Sequence, residues 1–374
     1  MSSSLLKFLI VAGARPNFMK VAPIIKAALA HNAQSRNSGV RLDWRLVHTG
    51  QHYDQKMSEI FFEELGIPTP DINLGVGSAS HAVQTATIMT RFEPICLHEQ
   101  LDWVIVVGDV NSCVACALVA AKLGIKVAHV EAGLRSFDRT MPEELNRVVT
   151  DALADLLLTP SEDANENLRR EGVPDGRIKL VGNVMIDAVI QNVDKARRRK
   201  TLRELGLEGK PFAYVTLHRP SNVDHTESLS AIMGELVRLA QEMPVVFPAH
   251  PRTRKMLLEF GISAENGQEL KILDPIGYHD SLCLTERARL VLTDSGGLQE
   301  EATFFRTPCL TLRPNTERPV TVSLGSNRLT CPSRLRSDIE QVLRNGARAG
   351  TVPPLWDGHT AERTVQAIIA ASGK

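Results

Sequence analysis

Residues 293–301 read Thr-Asp-Ser-Gly-Gly-Leu-Gln-Glu-Glu. An apolar run, 288–292, precedes them, and Ala302-Thr303-Phe304-Phe305 follows. The pattern predicts a buried parallel strand, a Ser-Gly-Gly turn and a helix start. That combination holds anions. Glycine lets a ligand approach the backbone, and the first helical turn offers unpaired N–H groups at the positive end of its dipole. Phosphate is a natural occupant, and Glu300 and Glu301 could accept hydrogen bonds from ribose hydroxyls. An ordinary capped helix would show the same local pattern, so the other strand ends have to decide.

They carry polar groups as well. The apolar run 6–12 leads into Gly13-Ala14-Arg15-Pro16-Asn17-Phe18-Met19-Lys20 and then a helix-like stretch, 21–30. Strand 44–47 ends in His48-Thr49-Gly50-Gln51-His52-Tyr53, strand 103–107 at Gly108-Asp109, and strand 127–130 at Glu131-Ala132-Gly133-Leu134-Arg135. After a loop, 136–141, Pro142-Glu143-Glu144-Leu145-Asn146-Arg147 starts a helix. In the second half, strand 213–216 ends at His218-Arg219-Pro220 and strand 245–247 at His250-Pro251-Arg252. Strand 272–273 ends at Asp274-Pro275 with Tyr278, and strand 309–312 at Arg313 and Thr316-Glu317-Arg318-Pro319. One polar strand end means little, but a set at equivalent places in one sheet outlines a ligand crevice.

The elements that position these groups are short, continuously apolar strands alternating with helical stretches. Strands of that kind are buried on both faces and belong to parallel sheets. The chain therefore predicts an α/β fold of two doubly wound parallel-sheet domains facing across a cleft. Further strands are expected at 156–158 and 179–181. Helical spacing runs through Met57, Ile60, Phe61 and Leu65 and is closed by Gly66. A helix over 82–97 is expected to be interrupted by Pro94, and Asn111-Ser112 to cap a helix running to Leu123. Residues 187–205 read as one helix whose run Arg197-Arg198-Arg199-Lys200 is a solvated face, and helices near 337–343 and 359–371 finish the chain.

At 374 residues the chain is long enough for two domains. Lys+Arg and Asp+Glu both number 43, so no basic excess points to nucleic acid. No apolar run reaches the roughly 18–20 residues that cross a bilayer, and no clear cleavage pattern marks the start. Six scattered cysteines fit a reducing cytosol. Cys113 and Cys116 lack a second pair and read as small apolar residues on a buried helix face. Neither Gly-x-x-x-x-Gly-Lys-Ser/Thr nor Gly-x-Gly-x-x-Gly after the first strand is present, nor is there a His-Glu-x-x-His or a tight His/Cys cluster. No cofactor and no metal are expected. His31, His98 and His129 read as structural.

Taken in order, these motifs resemble the non-hydrolysing UDP-N-acetylglucosamine 2-epimerases, of the two-Rossmann glycosyltransferase-B type. The likeness covers nearly the whole chain. It rests on Gly13-Ala14-Arg15-Pro16 with Lys20, Thr49-Gly50-Gln51-His52, Gly108-Asp109, His129 to Arg135, Pro142-Glu143-Glu144 with Asn146-Arg147, His218-Arg219, His250-Pro251, residues 293–301 and Thr316-Glu317-Arg318-Pro319. The resemblance implies interconversion of UDP-GlcNAc and UDP-ManNAc, by loss of UDP to a 2-acetamidoglucal and its return with the proton on the other face of C2. It implies Asp109, Glu131, Glu143 and His218 as the catalytic set. Arg15, Lys20, Arg135, His250, Tyr278, Ser295, Gly296, Gly297, Glu301 and Arg318 would hold substrate, with Glu301 on the ribose and Lys20 and Arg135 shaping the charge of the carboxylates. It also implies a cytoplasmic homodimer with a UDP-sugar substrate and neither nucleic-acid nor membrane partner. Residues 1–182 would form the first domain, completed by a C-terminal helix over 359–374, and 183–358 the UDP-binding domain. A hydrolysing 2-epimerase, an epimerase of a related UDP-sugar and a glycosyltransferase of the same fold are the alternatives. The chain departs from the pattern twice. Ser281 stands where many bacterial members have an aromatic residue that could stack on uracil. Gln51-His52-Tyr53-Asp54-Gln55-Lys56-Met57 replaces the Gln-His-x-Gln-Met of members activated by a second UDP-GlcNAc, so such activation is not expected.

Overall fold

The computed structural model describes residues 4–34, 39–50, 66–262, 269–345 and 350–374. The chain divides into two units, Met1–Ala188 with Pro354–Lys374, and Val189–Pro353.

The first unit is a parallel sheet in the order β3-β2-β1-β4-β5-β6-β7. Its strands are β1 (Leu5–Ala12), β2 (Arg41–His48), β3 (Ile72–Asn73), β4 (Trp103–Val107), β5 (Lys126–Val130), β6 (Leu156–Thr159) and β7 (Ile178–Leu180). Its helices are α1 (Arg15–Gln34), α2 (His81–His98), α3 (Asn111–Lys122), α4 (Pro142–Leu153), α5 (Glu162–Arg170) and α6 (Val184–Arg197), which leads into the second unit. Leu9, Val11, Val104, Val106, Val127 and Leu157 pack with Ile88 and Phe92 of α2 and Ala117 and Ala120 of α3 into one core, so every central strand is covered. The terminal helix also belongs here. Ser372 accepts a hydrogen bond from Trp103 Nε1 at 2.8 Å, and Asp187 receives the Ala361 N–H at 2.7 Å.

The second unit continues with α7 (Thr201–Glu204), β8 (Ala213–Thr216), α8 (Pro220–Val223), α9 (Thr226–Leu239), β9 (Val245–Pro248), α10 (Pro251–Glu259), β10 (Leu270–Leu273) and α11 (Tyr278–Arg287). It goes on through β11 (Leu290–Thr293), α12 (Gly296–Phe305), β12 (Cys309–Leu312), α13 (Val320–Ser323), β13 (Asn327–Thr330) and α14 (Leu335–Asn345), while α15 (Thr360–Ser372) returns to the first unit. Its sheet, also parallel, runs β10-β9-β8-β11-β12-β13. In each sheet the order reverses beside the first strand, between β1 and β4 and between β8 and β11. The loops leaving those two strands diverge and open a crevice at their C-terminal ends.

Several local expectations need correction. The first helix starts at Arg15, so Lys20 lies on it. Pro94 stays inside α2, which holds its line because Gln84, Ile88, Phe92 and Cys96 bury one face. Asn111 and Ser112 are helical residues, and the cap position is Val110. Their side chains bond Gln84 and Thr49 instead, at 2.8 Å each. The helix expected over 187–205 starts at Val184 and breaks after Arg197. Within the basic run Arg197 meets Glu286 at 2.6 Å and Arg199 meets Asp280 at 2.7 Å, exposed pairs of small energetic weight. The helix through Met57, Ile60, Phe61 and Leu65 and the 51–57 loop motif lie outside the described residues. Cys113 and Cys116 are buried, and burial pushes the Cys113 thiol up to about 12. Among the described residues no helix is long and apolar enough to cross a membrane.

Candidate active site

In the first unit one asparagine ties the diverging loops together. Asn17 Oδ1 accepts the N–H groups of Gly13 and Ala14 at 3.2 and 2.9 Å, and Nδ2 donates to the Val107 carbonyl at 2.7 Å. One turn on, Lys20 Nζ lies 2.5 Å from Glu131 Oε2, both side chains being almost fully buried. Glu131 adopts φ +70°, a conformation that costs a non-glycine residue energy and that clusters at functional sites. The pair sits against Gly108, whose φ is +79° and where a Cβ would lie 3.2 Å from Lys20 Nζ. A side chain here would strain the backbone and press the lysine back.

Asp109 follows directly. Its carboxylate takes the Arg147 guanidinium at 3.1 Å and keeps 27% of its side chain exposed. Its carbonyl accepts from Asn146 Nδ2 at 2.9 Å. Arg147 is buried and also binds Glu144 at 2.7 Å. Glu144 in turn receives the N–H of Ser136 at 2.9 Å and that of Phe137 at 2.8 Å, so it pins the 136–141 loop. Glu143, in the first turn of α4, is half-buried and makes no hydrogen bond or ion pair with another described residue. Lys20, Asp109 and Glu131 thus come together beside Gly108, and the helix that reaches Asp109 through Arg147 also presents Glu143.

Arg135 does not join them. Its guanidinium bonds Asp151 at 2.7 Å and Glu171 through two bonds of 2.8 and 2.7 Å, which engages it away from Asp109 and Glu131. The arginine that meets an acid/base candidate is Arg147. A signal for it was present, because Arg147 lies four residues after Glu143 on one helix and shares its face. Arg15 opens α1, and its side chain lies outside the described residues.

In the second unit Asp294 joins the diverging strand ends. It is fully buried and receives the N–H of His218 at 3.0 Å, that of Arg219 at 2.9 Å and Asn222 Nδ2 at 3.0 Å. Its other oxygen lies 2.8 Å from His218 Nδ1, and the imidazole is 46% exposed. Burial would raise the Asp294 carboxyl, but the hydrogen bond and charge of His218 and the surrounding N–H donors hold it below the usual carboxylate range. Neither Asp294 nor Asn222 is among the site residues expected from the sequence.

Ser295 caps α12 without a side-chain bond to it, and Gly296 and Gly297 are its first two residues, all three partly exposed. A Cβ on Gly296 would lie 2.8 Å from Glu317 Oε1 and 2.9 Å from Arg318 Nη1. Arg318 is buried between Glu300, at 2.8 Å, and Glu317, while Arg313 holds the far side of Glu317 at 2.7 Å. Much of the Arg318 charge is therefore offset within the protein, and Gly296 leaves room for its guanidinium at the helix start. Burial first, and then the charge of Glu300, lift the Glu301 carboxyl to about 8. Tyr278 is buried on the first turn of α11, and burial followed by the Glu301 charge pushes its phenol far up. His250 caps α10, taking the Arg252 N–H on Nδ1 at 3.2 Å, and its ring centre is 6.2 Å from that of His218. The Ser281 hydroxyl meets the Tyr214 hydroxyl at 2.8 Å.

The family model described as UDP-N-acetylglucosamine 2-epimerase matches residues 34–369. A UDP-N-acetylglucosamine 2-epimerase of Methanocaldococcus jannaschii is 41% identical over 372 residues, 97% of this chain and 99% of that protein. The crystal structure of the M. jannaschii UDP-GlcNAc 2-epimerase in complex with UDP-GlcNAc and UDP superposes with a TM-score of 0.85 at 41% identity, covering 96% of this chain and 99% of that one. A UDP-2,3-diacetamido-2,3-dideoxy-D-glucuronate 2-epimerase of Pseudomonas aeruginosa is 40% identical over 333 residues, 88% of this chain and 89% of that protein.

Proposed function

The chain belongs to the UDP-N-acetylglucosamine 2-epimerase family, with its glycosyltransferase-B type fold, and from that premise we propose that it interconverts UDP-GlcNAc and UDP-ManNAc without releasing free sugar. The C2 proton of the sugar is too weakly acidic for direct removal. As UDP departs from C1, positive charge develops there and acidifies it. Elimination then gives 2-acetamidoglucal, and UDP re-adds after the proton has returned to the opposite face of C2.

The residues divide the work. The Ser295 hydroxyl and the backbone N–H groups of Gly296 and Gly297, with His218 and Arg15, receive the negative charge that grows on the departing diphosphate. Glu301 takes the ribose hydroxyls, and Tyr278, His250 and Arg318 line the nucleotide side. Asp109, Glu131 and Glu143 exchange the C2 proton as general base and acid, with Lys20 fixing Glu131 and Arg147 fixing Asp109. Arg135 has no part in this, because its donors are engaged inside the unit. The observation that carries the reading is the buried Lys20–Glu131 pair beside Gly108-Asp109, which supplies carboxylates for proton transfer at a strand-end crevice. A simple glycosyl transfer needs no such set. A cytoplasmic homodimer belongs to the same reading, and sedimentation of the purified chain measures its assembly state.

The test is incubation with UDP-GlcNAc in deuterated water, followed by NMR. The expected result is deuterium at C2 in both UDP-sugars. Free ManNAc with stoichiometric UDP would make the protein a hydrolase, and tight binding without exchange would remove the epimerase reading for this substrate. The Pseudomonas relative supports a second reading, in which the sugar carries a C6 carboxylate and a 3-acetamido group. Exchange with that substrate and none with UDP-GlcNAc would establish it.

A further inference from the structure

His129, read from the sequence as structural, has a more specific task. It lies on β5, fully buried, with both ring nitrogens in hydrogen bonds: Nδ1 is 2.6 Å from Asp151 Oδ1 and Nε2 is 2.8 Å from the Gly108 carbonyl. A carbonyl only accepts, so Nε2 carries a proton. Asp151 is surrounded by donors, with Arg135 Nη1 at 2.7 Å and the Gly133 N–H at 3.0 Å on its other oxygen. With a guanidinium and a backbone N–H both donating to that oxygen, the carboxyl has no place for a proton there and is held ionised. An ionised carboxylate also only accepts, so Nδ1 carries a proton too. The ring then ends a chain of alternating charge that runs inward from the partly exposed Glu171 through buried Arg135 and Asp151 to His129.

We propose that His129 is a buried imidazolium acting as a positioning residue, which locks the Gly108 carbonyl and thereby aims the Asp109 carboxylate. The surrounding bonds make the lock complete. The Gly108 N–H donates to the Val130 carbonyl at 3.0 Å, the Gly108 carbonyl takes His129, and the Asp109 carbonyl takes Asn146 at 2.9 Å. Every peptide group around Asp109 that could swing is held. Arg147 then has only the carboxylate itself to orient. A neutral histidine could donate to only one of its two acceptors, leaving either the Gly108 carbonyl or a buried carboxylate short of a donor. The proposal rests on the reading of Asp109 as a proton-transfer group.

Nitrogen NMR of the unaltered full chain with 15N-labelled histidine is the direct test. The expected result is one imidazole carrying a proton on each nitrogen, lost from the spectrum in His129→Gln. An unprotonated Nδ1 or Nε2 at neutral pH overturns the proposal. In His129→Gln and Asp151→Asn, turnover by C2 exchange should fall about 10²-fold, as expected for displacement of a catalytic group by about 1 Å, with KM and UDP affinity unchanged. A drop in melting temperature with kcat intact would make His129 a purely structural residue and also overturn it. If neither variant folds, the spectrum of the unaltered protein decides. Asp109→Asn separates the two claims, since retained exchange there removes the role of Asp109 while the imidazolium signal stands or falls by itself.

Discussion

Each unit sets a histidine against an aspartate at the C-terminal edge of its sheet, and the two pairs are built for opposite ends. His129 is wholly buried and uses both nitrogens, on Asp151 and on a backbone carbonyl. His218 uses Nδ1 on a buried Asp294 and leaves nearly half its ring exposed. A second acceptor and loss of solvent turn an imidazole into scaffold. An exposed nitrogen that bonds no other described residue keeps it available to a ligand. The arginines divide by where their partners stand, not by burial. Both are buried, and each joins one buried carboxylate to a partly exposed one: Arg135 joins Asp151 to Glu171, and Arg147 joins Glu144 to Asp109. Of the two exposed partners only Asp109 follows Gly108 at the end of β4, beside the Lys20–Glu131 pair.

The contrast also separates the two sheets, with proton chemistry assigned to the first and leaving-group binding to the second. The largest test of that division is Asp109→Asn, which should lower C2 exchange by about 10³-fold or more while UDP binds as before by calorimetry. Lost UDP affinity of similar size would merge the two roles. Next, Asp294→Asn offers a donor to His218 Nδ1 and frees the ring to adopt the other tautomer. Turnover should drop about 10²–10³-fold, a smaller loss than that of the serine-protease precedent, with a displaced pH profile. An unchanged profile would mean that Asp294 only holds the loop.

A smaller effect is expected at the helix start. Gly296→Ala would force a methyl against Glu317 and Arg318, a strain of about 1–3 kcal/mol. If it falls on the bound state, UDP affinity weakens about 10-fold or more and turnover at saturation changes little. Full affinity for UDP would show that the nucleotide does not use this turn. The smallest effect concerns Glu301. Its folded value of about 8 exceeds the ordinary 4.5, so its contribution to stability is fully present below the unfolded value and is lost as pH rises through the folded one. The unliganded protein should therefore lose melting temperature from about pH 4.5 to 8 through this group, and Glu301→Gln should flatten that decline. A parallel decline in the variant would assign it to other residues.

Much of this was legible from residue order. Strand β4 is a continuous apolar run and β1, β5, β8 and β11 are predominantly apolar, a pattern that marks strands buried on both faces. Two strands were not legible. Ile72–Asn73 is only a bridge onto β2, and Asn327–Thr330 is largely polar and exists through its pairing with β12. The Ser-Gly-Gly helix start could be read because all its donors are local in the chain. Asp294 was overlooked although it stands beside Ser295, because its partners are 72–76 residues away.

By itself, the sequence determined the strand–helix alternation, the polar strand ends and the ordered motifs that mark the family, since each is written in adjacent residues and their periodicity. The tertiary structure alone decided which charges are spent. Arg135 and Arg147 are the same residue type at comparable distances from the glutamates, yet one is consumed by Asp151 and Glu171 and the other meets Asp109. It also decided that Glu301 is an acid lifted to about 8 and that His129 has an acceptor on each side. Charge in a folded chain depends on solvent and on partners within a few ångströms, and both are set by segments far apart in sequence.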